Sequence, residues 1–133
     1  MSEQSFQVGV KALIKNTTGQ LLCIHDTEHD RWDIPGGRID VDEDIVDCLN
    51  RELREEIGAS AQHMELCTST ISRIMLPQAP DHRLLLMIYE VQISDDPFAN
   101  ELNTELMWLP GAQLAEKITN KYSTEFCEWL GAQ

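Results

Sequence analysis

Carboxylates crowd one short stretch of this chain. Between Asp40 and Glu56 stand Asp40, Asp42, Glu43, Asp44, Asp47, Glu52, Glu55 and Glu56, with Arg51 and Arg54 among them. From Asp44 to Gly58 the residues repeat with a helical period, since Ile45, Leu49, Leu53 and Ile57 recur every fourth position. Glu52 lies three residues before Glu55 and four before Glu56, so a helix gives all three a common face. At about 100° per residue, Glu56 projects within roughly 20° of Ile45 and Leu49. A solvated helix face is the ordinary account of such a charge run. Against it, carboxylates crowded beside a buried edge carry repulsion and desolvation that a bound cation offsets. The matching ion is hard and divalent, Mg²⁺ or Mn²⁺, held by oxygen ligands. Spacing alone leaves both accounts open. A calcium loop of the EF-hand type fails, because Ile45 stands where its glycine belongs and Arg51 where its glutamate belongs.

The order of these residues carries a resemblance. Gly37, five residues, Glu43, seven residues, then Arg51-Glu52-Leu53-Arg54-Glu55-Glu56-Ile57-Gly58-Ala59 resembles the Nudix box, with Ala59 a small occupant of its final aliphatic position. The lead-in Trp32-Asp33-Ile34-Pro35-Gly36-Gly37 and the later Trp108-Leu109-Pro110 are similar to that family as well. The resemblance implies an α/β fold, an α/β/α sandwich around a mixed β-sheet, filling residues 1–133 as a single domain. It implies Mg²⁺, with Mn²⁺ as a substitute, bound by Glu52, Glu55, Glu56 and the carbonyl of Gly37. Arg51 would orient the helix carboxylates, and Glu43 would support the loop. Glu52 or Glu55 would take the proton from the attacking water.

The implied activity is a Mg²⁺-dependent pyrophosphohydrolase cleaving a nucleoside diphosphate linked to another moiety. The alternatives are a nucleoside triphosphate pyrophosphohydrolase, acting on oxidised nucleotides among others, and a non-catalytic nucleotide-sensing module. The expected partner is a small nucleotide polyphosphate. Homodimers occur among such proteins, and no residue here decides between monomer and homodimer. Outside the box, Glu101 and Glu105 precede Trp108 where relatives supply a further acid; a solvated loop is the plainer reading of both. His25 and His29 read as surface histidines. Arg31, Arg38 and Arg83 are phosphate-contact candidates that more ordinarily meet water. Trp32 and Tyr89 are stacking candidates that more ordinarily pack, and Trp108 and Trp129 are assigned to the core.

These groups need a scaffold. Phe6, Val8, Val10, Ala12 and Ile14 alternate as in a half-buried strand, and Asn16-Thr17-Thr18-Gly19 is turn chemistry leading to a second strand, Gln20 to His25. Together they read as a hairpin. Asp42 reads as the N-cap of the acidic helix and Gly58 as its stop. Strands are expected at Met64 to Met75, Arg83 to Ile93 and Glu105 to Leu109, with a loop at Pro77 and Pro80. One or two helices close the chain after Pro110.

Composition narrows the function classes. The chain has 133 residues, 42% of them apolar, enough for a core. With 23 acidic against 10 basic side chains its formal charge is −13, which opposes long nucleic acids and anionic membranes. Metal ions are the exception, since they bridge an acidic site to a polyphosphate. No apolar run reaches the roughly 18–20 residues of a membrane span, and the N-terminus does not read as a signal peptide. Cys23, Cys48, Cys67 and Cys127 form no C-x-x-C pair. Reduced thiols and a cytoplasmic location are expected.

Overall fold

The computed structural model describes residues 2–76 and 81–133. In chain order its elements are β1 (Ser5–Leu13), β2 (Leu21–Asp26), β3 (Arg31–Asp33), β4 (Gly36–Arg38), α1 (Ile45–Ile57), β5 (Ala61–Ile71), β6 (His82–Ile93), β7 (Thr104–Leu109), α2 (Gly111–Lys117) and α3 (Thr124–Gly131). One sheet runs β4-β1-β6-β5 and a second runs β3-β2-β7. β1 and β6 are parallel over nine residue pairs and the other pairings are antiparallel, so the larger sheet is mixed.

Two apolar clusters lie on opposite sides of these sheets. One joins Val10, Ala12, Leu22 and Ile24 to Cys48, Leu49, Leu53 and Ile57 of α1. The other joins Leu13, Leu84, Leu86 and Ile88 to Leu114, Ile118, Tyr122, Phe126 and Leu130 around α2 and α3. The result is the expected α/β/α sandwich. Leu49, Leu53 and Ile57 are wholly buried, each contributing about 1.5–3 kcal/mol, and this stripe fixes which way the α1 carboxylates point.

The expected hairpin forms only at its tip. Asn16 accepts hydrogen bonds from the Thr18 and Gln20 amides, and Gly19 takes a positive φ of 82°, so the turn is present. But β4 and β6 already occupy both edges of β1, and β2 pairs with β3 and β7 in the other sheet. Pairing is confined to the Lys15–Leu21 bridge beyond the end of β1, where the Asn16 amide donates to the Gln20 carbonyl at 3.0 Å and the Leu22 amide to the Ile14 carbonyl at 2.9 Å. Nor is β1 half-buried in alternation, because Gly9 to Leu13 are buried without a break.

The helix cap also moves. Asp42 has φ 63° and turns the chain, while Asp44 is extended and accepts the Asp47 amide at 2.8 Å. Asp44 is therefore the N-cap, and Gly58 is the left-handed stop at φ 67°. The strand expected at Met64 to Met75 runs Ala61–Ile71, and two helices close the chain. Pro77 and Pro80 lie outside the described residues. Trp108 and Trp129 are partly buried and pack against the clusters. Cys23 and Cys48 are buried, Cys127 is partly buried, Cys67 is exposed, and all four are free. No helix among the described residues is long and apolar enough to cross a membrane.

Candidate active site

The acidic face of α1 meets β4 across its Gly36-Gly37 pair. A Cβ on Gly37 would overlap the Glu52 carboxylate, so the glycine gives that carboxylate room against the backbone. Gly36 has φ 133°, and a side chain there would strike the Val10 carbonyl. Its amide donates to Glu56 Oε1 at 2.8 Å. Burial pushes the Glu56 carboxyl up to about 8, despite Lys11 and the Gly36 amide, which act the other way. Its projection beside the apolar stripe is the reason for that burial.

Arg51 ties the box together. Its guanidinium grips Glu43 in a fork, Nε to Oε2 at 2.6 Å and Nη2 to Oε1 at 2.9 Å. Nη1 donates to Glu52 at 2.8 Å and lies 3.5 Å from Glu55, while Nη2 also reaches the Arg38 carbonyl. Glu43 in turn accepts the Asp40 amide at 2.8 Å. The Arg51 hydrogen bonds, followed by that amide, hold the Glu43 carboxyl down at about 2. Glu55 is the most exposed of the three box glutamates paired here or nearby, with a side chain 54% accessible.

Glu101, itself exposed, lies close enough to feel this wall. The 95–103 connection is laced to the end of α1: the Phe98 amide donates to the Ile57 carbonyl, the Asn100 amide to the Glu56 carbonyl, and the Asn100 side chain to the Arg54 carbonyl. This lacing brings Glu101 toward the box, where burial and then the charges of Glu52 and Glu55 raise its carboxyl. Glu105, also exposed, faces elsewhere, 4.0 Å from His25. His25 and His29 each pair with a carboxylate, Asp30 and Asp26. Trp32 is engaged by stacking on His25 and by the Lys117 ammonium 4.3 Å from its centroid. Arg31 and Arg38 line the cleft beside the box.

A second cluster on the cleft floor was not anticipated. Lys11, only 4% exposed, donates to Asp33 Oδ2 at 3.1 Å and to the Ile34 and Gly36 carbonyls at 3.2 Å. Lys121 donates to the same Asp33 oxygen at 2.5 Å, and the Tyr122 hydroxyl to Oδ1 at 2.5 Å. Burial pushes the Asp33 carboxyl up, but the two ammonium groups override it and bring it down to about 2. Burial works against the Lys11 charge too, yet Asp33 and Glu56 leave that ammonium with a raised pKa. Lys11 thereby straps down the segment that carries both glycines. The available signal was a single charged residue within the apolar run Val8 to Ile14.

The donor set suits a hard divalent ion: carboxylates with a carbonyl nearby, one of them buried, and like charges pressed together. Among the described residues no three His, Cys, Asp or Glu side chains close around a single point. Glu52 turns to Arg51 and Glu56 to Gly36, so the box glutamates line one wall with separate partners.

A family model described as the NUDIX domain matches residues 5–130. The RNA pyrophosphohydrolase of Psychrobacter sp. (strain PRwf-1) is 38% identical over 65 residues, which cover 49% of this chain and 38% of that protein. The RNA pyrophosphohydrolase of Pseudomonas putida (strain GB-1) is 37% identical over 75 residues, 55% of this chain and 47% of the relative. The chain thus spans less than half the length of these curated relatives. The solution structure of the E. coli ORF135 protein superposes with a TM-score of 0.72 at 22% identity, covering 97% of this chain and 89% of that one. The MutT NUDIX hydrolase of Burkholderia pseudomallei gives 0.68 at 22% identity, with 98% of each chain covered. At such identities the likeness is one of fold.

Proposed function

The chain belongs to the NUDIX family, and we propose that it is a Mg²⁺-dependent pyrophosphohydrolase acting on a nucleoside diphosphate linked to a second moiety. The observation carrying it is the carboxylate wall: Glu52 set against Gly37, with Glu55 and Glu56 around it and Glu101 close by. Glu52, Glu55, Glu56 and the Gly37 carbonyl are the residues that would hold the ion, and Mn²⁺ would substitute. When bound, the ion neutralises the anhydride oxygens and acidifies a water.

The chain's own groups do the rest. Arg51 holds Glu52 and Glu43 in register, so the carboxylates need little reorganisation as the substrate arrives. Water adds to phosphorus, the bridging P–O bond breaks, and a nucleoside monophosphate leaves with a phosphorylated remainder. Glu55 accepts the proton of that water, since it is accessible and its contact to Arg51 is the longer one. Glu52 is the alternative base.

A second substrate reading is an RNA, motivated by the name RNA pyrophosphohydrolase of the curated relatives; the net charge of −13 opposes it. A hydrolysis screen in Mg²⁺ tests both, with sugar nucleotides, dinucleotides, nucleoside triphosphates and triphosphorylated RNA as its arms. Phosphorus NMR identifies the products. Turnover of a nucleoside diphosphate derivative that Glu55→Gln lowers by orders of magnitude supports the reading. Tight nucleotide binding without turnover on any arm replaces it with a sensing module.

A further inference from the structure

The cleft beside the box has two lobes, of about 350 Å³ and about 280 Å³. Asp33, Glu56, Ile74 and Lys121 line both, so the Lys121 side chain stands where the lobes meet. Its backbone is pinned from the far side, because the Lys121 carbonyl accepts the Ser72 hydroxyl at 2.9 Å and the Arg73 amide at 2.8 Å. The side chain is then directed across the cleft to Asp33, 88 residues away in sequence.

The charge arithmetic at Asp33 is uneven. One carboxylate oxygen receives two ammonium groups, Lys11 at 3.1 Å and Lys121 at 2.5 Å. Lys11 is fully committed, with two carbonyls as its other acceptors and almost no exposure. Lys121 differs. Its ammonium has three donors, yet Asp33 is its one hydrogen-bond acceptor among the described residues, and its side chain is 20% accessible. Tyr122 and the Ile34 amide supply Asp33 with further donors, so the carboxylate does not depend on Lys121 alone. Among the described residues the other two donors meet no hydrogen-bond acceptor, the Tyr122 ring lying 5.8 Å from the ammonium; on a cation open to the cleft of a strongly acidic protein they mark a place for an anionic oxygen.

We infer that Lys121 is a substrate-binding residue that takes a phosphate oxygen of the diphosphate, on the side of the cleft facing the box glutamates. The phosphate would lie at the junction of the lobes, with the nucleoside in one and the second moiety in the other. This rests on the reading of the cleft as a polyphosphate site.

The test uses the full chain and methylenediphosphonate, a diphosphate with a non-hydrolysable P–C–P bridge, titrated by calorimetry in Mg²⁺ buffer. Mn²⁺ affinity is measured separately by electron paramagnetic resonance. Lys121→Met is expected to weaken the diphosphonate at least tenfold while Mn²⁺ affinity stays within twofold. Lys121→Arg, which keeps the cation, is expected to stay within about threefold of wild type for both. Near-UV circular dichroism checks the fold, and Lys121→Gln, which keeps a donor for Asp33, replaces Lys121→Met if that variant does not fold. Diphosphonate affinity within twofold of wild type in the neutral variant overturns the inference, as does a parallel fall in Mn²⁺ affinity. Wild type that binds Mn²⁺ but no diphosphonate also overturns it. A wild type that binds no Mn²⁺ instead removes the underlying metal-site reading.

Discussion

The carboxylate of Glu52 lies over the backbone of Gly37, in the volume that a Cβ on residue 37 would occupy. What such a Cβ meets is the flexible end of a side chain, so the fold can yield by moving Glu52. Gly37→Ala should therefore retain its fold and lose most of its activity, with kcat/KM down about 100-fold, roughly the 2.7 kcal/mol that two decades represent. At Gly36 the obstacle is the Val10 carbonyl, and φ is 133°. Gly36→Ala should instead lower stability, by more than about 1 kcal/mol. Urea denaturation and kinetics on the two purified variants check the contrast, and equal loss of stability in both would contradict it.

Arg51 serves geometry as much as charge. Its fork on Glu43 and its third bond to Glu52 use three nitrogens spread over a planar guanidinium, and the single nitrogen of an ammonium cannot reproduce that fork while reaching Glu52. Arg51→Lys keeps the charge but should reduce kcat at least tenfold, and it should cost about 1–2 kcal/mol of stability, the scale of a lost charge-assisted hydrogen bond. Steady-state kinetics with chemical denaturation read both. Unchanged kcat would mean that Glu52 needs no holding.

The box and its helix were legible because their signals are local. Glu52, Glu55 and Glu56 share a face by spacing, and the stripe Leu49, Leu53 and Ile57 decides which face is buried. The Asp33 cluster was not legible in the same way. Lys11, Asp33 and Lys121 are far apart in sequence, and only the β1 pairing and the α2–α3 connection bring them together. The shortness of the hairpin has a similar cause. Turn chemistry at Asn16 to Gly19 is local, but whether the flanking strands pair depends on the β1 edges, which long-range partners take. The buried Lys11 is invisible to a strand-alternation reading, which assigns its face to solvent.

Glu101 and Glu105 looked alike in sequence and separate in the structure. Lacing of the 95–103 connection to the end of α1 brings Glu101 toward Glu52 and Glu55, while Glu105 lies beside His25. Glu101→Gln should cut kcat about 10- to 100-fold, in the range of a lost polar contact at charge that develops in the transition state. Glu105→Gln should leave kcat within twofold. The measurement is Mg²⁺-dependent turnover at saturating substrate for both variants. A larger loss in Glu105→Gln would reverse the assignment.

Without metal, stability should peak in mildly acidic solution and fall on both sides. Asp33 is brought from 3.8 to about 2 by Lys11 and Lys121, which override its burial, and Glu43 from 4.5 to about 2 by Arg51. Both carboxylates titrate lower in the folded chain, so their contributions are present above about pH 4.5 and lost as pH falls toward 2. Glu56 runs the other way. Burial raises it from 4.5 to about 8, so the folded chain holds a proton there that the unfolded chain has released. Its contribution is present below about pH 4.5 and is lost as pH rises through 8. In EDTA, denaturation midpoints should therefore be highest near about pH 4.5–5. Self-repulsion at a charge of −13 also weakens the fold as pH rises, so the decisive comparison is with Glu56→Gln, which cannot ionise. That variant should lose less stability between pH 5 and 8 than wild type. Parallel pH curves for the two proteins would show that Glu56 is already ionised at pH 5 in the folded chain.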